Sequence, residues 1–187
     1  MEIENIQLQT ERLLLNSLSY KDIPQIIEYA GNPKISDNLI NIPFPYFEQD
    51  AIFWINSANQ DLKTGEAYKF AIRIKKNNKL DFIGAVGLLL DKKHNKAELG
   101  YWMAEPFWNK GFMSEAVGKV IEFGFETLQL NKIFANHFIS NPASGKIMIK
   151  NGMVKEAEIK EHFKKGDTYL DIIQYRLTQK EYKNQSK

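Results

Sequence analysis

The chain has 187 residues, 43% hydrophobic and 26% charged, with a formal net charge of only +2. That length and apolar content suit one domain, residues 1–187, with a substantial core, and exclude a disordered chain. Charges of both signs are mixed along it, leaving no basic stripe for direct nucleic-acid binding, and the absence of cysteine excludes disulfides, thiolate metal sites and a cysteine nucleophile.

The opening MEIENIQLQT is polar and acidic, unlike a secretory signal, and the longest apolar run, residues 82–90, is too short to span a bilayer. A cytoplasmic protein without a membrane partner is expected. Residues 11–18 read as a first strand. Ser19 is a good N-cap for a helix over 20–30, with Asp22 at the position of a capping-box acid, and Gly31, Asn32 and Pro33 stop that helix. Residues 38–46 form a proline-bearing connection whose Ile40, Ile42, Phe44 and Tyr46 either cap the core or wall a pocket. A helix over 47–62 follows.

The pattern then changes to period two. Tyr68, Phe70, Ile72 and Ile74 alternate with Lys69, Ala71 and Arg73, as in a strand with one wetter face. A turn at 75–79 leads into 82–90, apolar on both faces and so a central strand, and a turn at 91–96 leads into a strand over 97–103. These three read as an antiparallel meander. Residues 112–128 are amphipathic, with Val117, Val120, Ile121, Gly124 and Leu128 on the buried stripe. A strand over 132–139 lies across that helix and is expected to run parallel to 97–103. A short helix over 141–151 ends at Gly152, and 154–162 with 168–177 form a last hairpin. The tail from Thr178 is charged and expected to fray.

The strand-to-helix turn WNKGFMSEA, residues 108–116, stands out chemically. A helix start offers several outward N–H groups with partial positive charge, which suits an anion such as a phosphate. Gly111 permits a tight turn and close approach, and Ser114 adds a hydroxyl. The same glycine would also be found in a turn of purely structural purpose. The histidines offer no ligand set, since His94 and His162 sit in or near turns and His137 lies in a strand; no metal is expected.

Three strings in order, AELGYWM, WNKGFMSEAV and NPASGKIMIKNGM, resemble the GNAT acetyl-CoA-dependent N-acetyltransferases. With TERLLLNSL and IPFPYFEQDAIFWI they are most similar to the branch of ribosomal-protein N-terminal (alanine) acetyltransferases. The resemblance spans about residues 8–177. It implies an α/β fold with a central, mostly antiparallel mixed sheet, helices on both faces, and two splayed parallel strands, here 97–103 and 132–139, with acetyl-CoA in the gap. It places the CoA pyrophosphate on the N–H groups of Asn109, Lys110, Gly111, Phe112, Met113 and Ser114. Met103, Ala104 and Asn141 complete the cofactor set. Trp108, Asn109, Met113 and Met153 depart from the residues usual in the family.

The resemblance also puts Ser144 near the thioester sulfur, where a hydroxyl can stabilise or protonate the departing thiolate. Glu98 is the candidate general base; otherwise it is a strand carboxylate beside a turn. Phe44, Tyr46 and Tyr101 are the candidate substrate-binding side chains, with Tyr101 read either as a core aromatic or as a second hydroxyl near the acyl group. Without a cysteine, direct transfer is expected rather than a covalent acyl-enzyme. The acceptor is a protein N-terminal α-amine or a small-molecule amine such as a polyamine, an amino sugar or an antibiotic. An acyl-CoA-binding module without activity is the non-enzyme alternative. Monomer and homodimer are both compatible with the sequence.

Overall fold

Alternating and doubly apolar runs make the long strands between Ala67 and Thr178, and the helices between them bury one face each. The structure, a computed structural model, describes residues 6–76 and 79–185. Its strands are β1 (Leu8–Gln9), β2 (Leu13–Asn16), β3 (Ala67–Lys76), β4 (Lys79–Asp91), β5 (Lys96–Met103), β6 (Lys132–Phe138), β7 (Val154–Lys165) and β8 (Thr168–Thr178). The helices are α1 (Ile23–Ala30), α2 (Pro33–Ser36), α3 (Glu48–Thr64), α4 (Phe112–Glu122), α5 (Pro142–Lys150) and α6 (Gln179–Gln185). The strands form one sheet in the order β1-β2-β3-β4-β5-β6-β8-β7. Every neighbouring pair is antiparallel except β5 and β6, which run parallel as expected. The centre of the predicted turn at 75–79, residues 77–78, lies outside the described residues.

Two cores flank the sheet. On one face Leu15, Ile72, Val86, Leu99 and Ile133 pack against Val117, Val120 and Ile121 of α4 and Met148 of α5. On the other, Ala71, Phe82 and Trp102 pack against Ile26 of α1 and Ala51 and Ile55 of α3. Burial of these side chains is the main stabilising term, about 1.5–3 kcal/mol for each large one.

The second core corrects the reading of β3 as a strand with a wet face. Ala71 is fully buried and Arg73 only 8% exposed, because α1 and α3 cover that side. A guanidinium is tolerated there because it is fully engaged. Arg73 Nη1 and Nη2 donate to the two carboxylate oxygens of Asp22 at 2.6 and 2.9 Å, and Nε donates to Asn16 Oδ1 at 2.7 Å. Asp22 also accepts from the Ser19 amide at 2.9 Å, the capping-box contact that the sequence suggests. One carboxylate therefore both caps the first helical turn, Tyr20–Asp22, and neutralises the buried arginine.

Three further differences have local causes. The N-terminal strand is shorter than predicted and pairs with an additional short strand, β1. The helix from Phe112 changes pitch at Phe123 into a π-helical turn, Phe123–Thr127. That change of phase lets Phe123 and Phe125, two residues apart, both point into the core. The tail does not fray but forms α6. Thr178 and Glu181 make a reciprocal cap, Thr178 N donating to Glu181 Oε2 at 2.9 Å and Glu181 N to Thr178 Oγ1 at 3.3 Å. Tyr182 stacks on Phe125 at 4.7 Å.

Breaking the buried pair should be costly, whereas an exposed pair should contribute little. We expect Arg73→Ala to lower the unfolding free energy by about 3–5 kcal/mol, since it strands a buried carboxylate. Lys69→Ala, which removes the more exposed Lys69–Asp61 pair, should change stability by about 0–1 kcal/mol. Urea denaturation of the two variants checks the contrast, and equal losses would overturn it.

Candidate active site

Parallel pairing between β5 and β6 covers only Lys96–Lys132, Ala97–Ile133 and Glu98–Phe134. Beyond those rungs β5 follows β4 up to the Gly84–Met103 pair, and β6 follows β8 up to the Phe138–Ile172 pair. The two strands therefore diverge. Their facing edges carry backbone N–H and C=O groups with no ladder partner, an arrangement that favours an extended amide-bearing ligand between them. This is the splay that the resemblance implies for 97–103 and 132–139.

The turn after β5 opens α4 through two left-handed residues. Asn109 and Gly111 both have left-handed backbones, φ 59° and 79°, and Gly111 is the N-cap of α4. Asparagine tolerates that region better than other non-glycine residues, which explains its presence at position 109. Trp108 Nε1 donates to the Met103 carbonyl at 2.6 Å, fastening the turn to the end of β5. Ala104 N donates to the Ile83 carbonyl at 2.9 Å. The Lys110 ammonium folds back onto the Pro106 carbonyl at 2.7 Å, so at this turn Lys110 presents its backbone rather than its charge. Phe112 and Met113 point into the core, so the Met113 side chain does not crowd the outer surface of the turn; Ser114 is half-buried.

At the end of β6, Asn141 caps α5, its Oδ1 accepting from the Ser144 amide at 3.3 Å. Gly145 brings α5 close to β6, since a Cβ there would lie 2.6 Å from His137 Nε2. Close docking sets Ser144 opposite β5. The Tyr101 hydroxyl donates to the Ser144 carbonyl at 2.9 Å and lies 2.9 Å from Ser144 Oγ. Burial pushes the Tyr101 phenol well above its ordinary pKa, with Ser144 opposing the shift, so Tyr101 is a neutral hydroxyl at physiological pH.

Glu98 occupies the last rung, on the opposite face of the sheet from Tyr101. Asn136 Nδ2 donates to Glu98 Oε1 at 3.0 Å, and Gln174 Nε2 donates to Asn136 Oδ1 at 3.0 Å. This amide chain crosses the gap where backbone pairing stops and holds one carboxylate oxygen, Oε1. Lys96 lies over the Phe134 ring on the same face.

Glu98, Tyr101, Ser144, Asn141 and the 109–114 turn thus surround the splay. Phe44 and Tyr46 are placed differently. Phe44 is 60% exposed, whereas Tyr46 is 9% exposed and belongs to the core under α1 and α3, where burial pushes its phenol up to about 12. Asn136 and Gln174 escaped the sequence reading as site residues, because their roles depend on partners in other strands, whereas Trp108, noted there only as a departure from the family's usual residue, has its partner Met103 five positions away. Among the described residues no group of three His, Cys, Asp or Glu side chains is arranged to hold a metal, and no helix is long and apolar enough to cross a membrane.

Comparison with known proteins agrees with this geometry. The family model described as acetyltransferase (GNAT) domain matches residues 12–154. The chain is 32% identical to the uncharacterised N-acetyltransferase p20 of Bacillus licheniformis over 178 residues, which is 94% of this chain and 97% of that one. Among solved structures, it superposes with a TM-score of 0.82 on a ribosomal L7/L12 α-N-protein acetyltransferase in complex with coenzyme A, at 16% identity, covering 92% of this chain and 98% of that one. It superposes with a TM-score of 0.78 on the spermidine N-acetyltransferase of Vibrio cholerae in complex with CoA and spermine, at 23% identity, covering 94% and 100%. The splayed parallel pair, the left-handed turn that opens α4 and the match over most of the sequence lead to one assignment: the chain belongs to the acetyltransferase (GNAT) domain family and is an acetyl-CoA-dependent acetyltransferase.

Proposed function

We propose that the protein acetylates a primary amine that approaches the splay from the face bearing Glu98, and that its preferred acceptor is the α-amine of a protein N-terminus, of the ribosomal-protein type. The observation that carries the reading is the divergence of β5 and β6 after Glu98 and Phe134, with Ser144 and Tyr101 on one side of the sheet and Glu98 on the other. In this reading the splay holds the pantetheine arm, beside Asn141, through the unpaired strand edges. The N–H groups of residues 109–114 hold the diphosphate. Acetyl-CoA supplies the acetyl group already activated as a thioester.

The residues then divide the proton work. Glu98 accepts a proton from the attacking amine, directly or through water, with Asn136 fixing one carboxylate oxygen. Ser144 offers its hydroxyl to the departing sulfur, and Tyr101 orients Ser144. Transfer is direct, because the chain has no cysteine to carry the acyl group.

Two features bear on the acceptor. A polycation would be favoured by several free carboxylates, but Glu156 is paired with Lys132, Glu181 with Arg176, and Glu98 shares its face with Lys96. This supports a mono-amine such as a peptide N-terminus. The second reading, a small-molecule amine, is supported by the likeness to the spermidine enzyme. Thiol release from acetyl-CoA, measured with ribosomal N-terminal peptides against spermidine and other small amines, tests the choice. Faster turnover of a small amine at equal concentration would overturn the peptide reading.

Saturating acetyl-CoA should stabilise the fold, by about 2.7 kcal/mol at roughly a hundred times its dissociation constant. Gly111→Val should abolish most of that shift, because a β-branched residue is strained at φ 79° and presents a side chain at the turn. An unchanged melting shift in a folded Gly111→Val variant would place the diphosphate elsewhere.

Glu98→Gln and Ser144→Ala should both keep CoA binding and lower turnover, by about a hundredfold to ten-thousandfold if each moves a proton. The Glu98 variant should recover as pH rises through the amine pKa, about 7.7–8.0 for an α-amine, because a neutral amine needs no base before it attacks. A pH–rate profile with a confirmed acceptor reads this out. Wild-type turnover by Glu98→Gln at neutral pH would return Glu98 to a structural role.

A further inference from the structure

The N-terminal β1–β2 turn reaches across to the start of α4, and its contacts converge on one acidic side chain. Glu115 is the carboxylate in the first turn of α4. Its Oε1 accepts from Thr10 Oγ1 at 2.5 Å and from the Arg12 amide at 3.0 Å, and its Oε2 accepts from Arg12 Nε at 2.7 Å. Arg12 Nη1 donates to the Lys110 carbonyl at 3.0 Å, and the guanidinium lies 4.5 Å from the centre of the Phe112 ring. A Cβ at Gly111 would lie 3.4 Å from Arg12 Nη2. One guanidinium therefore touches Lys110 and Phe112 on either side of Gly111 and the first carboxylate of the helix behind them.

Shape and charge both follow from this contact set. The Lys110 carbonyl sits between the two left-handed residues Asn109 and Gly111. Holding that carbonyl against Arg12 holds the intervening peptide and so the direction of the neighbouring N–H groups. Charge is the second consequence. A lone carboxylate one turn inside the helix favours the helix itself but repels an anion at its start. Burial alone would raise the Glu115 pKa, yet the Thr10 hydroxyl and the Arg12 amide and guanidinium hold it below the usual carboxylate range. Glu115 is therefore ionised at neutral pH, and Arg12 supplies the opposing charge.

We propose that Arg12 is a positioning residue for the diphosphate of CoA: it fixes the Asn109–Lys110–Gly111 backbone and cancels the Glu115 charge that would otherwise repel the ligand. The proposal rests on the reading that the 109–114 turn holds the diphosphate. A mere staple between β1–β2 and α4 would affect stability without distinguishing donors that carry phosphates from donors that lack them.

The experiment compares acetyl-CoA with S-acetylpantetheine, which has the same thioester arm and no phosphate, and measures CoA affinity by calorimetry. Arg12→Ala should weaken CoA binding and raise KM for acetyl-CoA about tenfold, comparable with losing one hydrogen bond to a charged group, while kcat is kept. Its kcat/KM for S-acetylpantetheine should stay within about twofold of wild type, well inside the tenfold that one such bond is worth. Glu115→Gln added to Arg12→Ala should recover part of the CoA affinity, since the unopposed charge is gone. Arg12→Lys, which keeps a cation but not the forked contact, supplies the same comparison if the alanine variant does not fold. Equal losses with both donors, or unchanged CoA affinity in a folded variant, would overturn the proposal. If wild type itself does not prefer acetyl-CoA over S-acetylpantetheine in kcat/KM, the diphosphate reading of the turn fails, and the role of Arg12 fails with it.

Discussion

Three rungs of parallel pairing join β5 to β6, and then each strand is drawn away by its antiparallel neighbour. An antiparallel ladder is slightly more stable per residue than a parallel one, so the longer ladders β4–β5 and β6–β8 outweigh any continuation of the short one. The result is a slot inside the sheet with unpaired backbone groups on both edges. Because β5 and β6 run the same way, the turns that follow them, and the N-termini of α4 and α5 that those turns open, lie at the same end of the sheet. The positive ends of two helices thus come to the mouth of the slot.

Much of the remaining polar structure holds that mouth in shape. Trp108 ties the turn to Met103, Arg12 ties it to β1–β2, and Glu105 ties the preceding segment to Asn32 and Lys34. Tyr101 ties β5 to α5 across the slot, and Lys165 ties the β7–β8 hairpin to the carbonyls of Ser36 and Leu39. None of these is a large term alone, at about 0.5–1.5 kcal/mol for a neutral hydrogen bond and about 1.5–3 kcal/mol for one to a charged group such as Arg12, Lys34 or Lys165. Together they supply preorganisation, with donors already in place before a ligand arrives. The Arg73–Asp22 pair and the two apolar cores lie behind this frame and carry the stability.

Where a side chain's surroundings depart from the sequence reading, a partner distant in sequence is responsible. Arg73 looked like a solvent-facing residue because its ion-pair partner, Asp22, lies 51 positions away in an element of different type. For Tyr46 the sequence leaves core and pocket both open, because nothing local shows that α1 and α3 close over it; the structure places it in the core. The tail was the exception. Thr178 and Glu181 stand at capping-box spacing, so the start of α6 was legible there and was outweighed by the charge of the segment.

The sequence by itself determined the order and type of nearly all elements, because hydrophobic period, cap residues and turn glycines are local properties. It also determined the glycine turn that opens α4 at Gly111 and, through three short strings, the family. Tertiary structure alone decided which strand faces were covered, where the β5–β6 ladder ends, and which side chains met at its end. Glu98, Asn136 and Gln174 come from three strands, and Arg12 reaches Glu115 over 103 positions. Such contacts are set by sheet order and helix docking, which depend on how all the apolar faces are buried at once, and no window of local sequence contains that information.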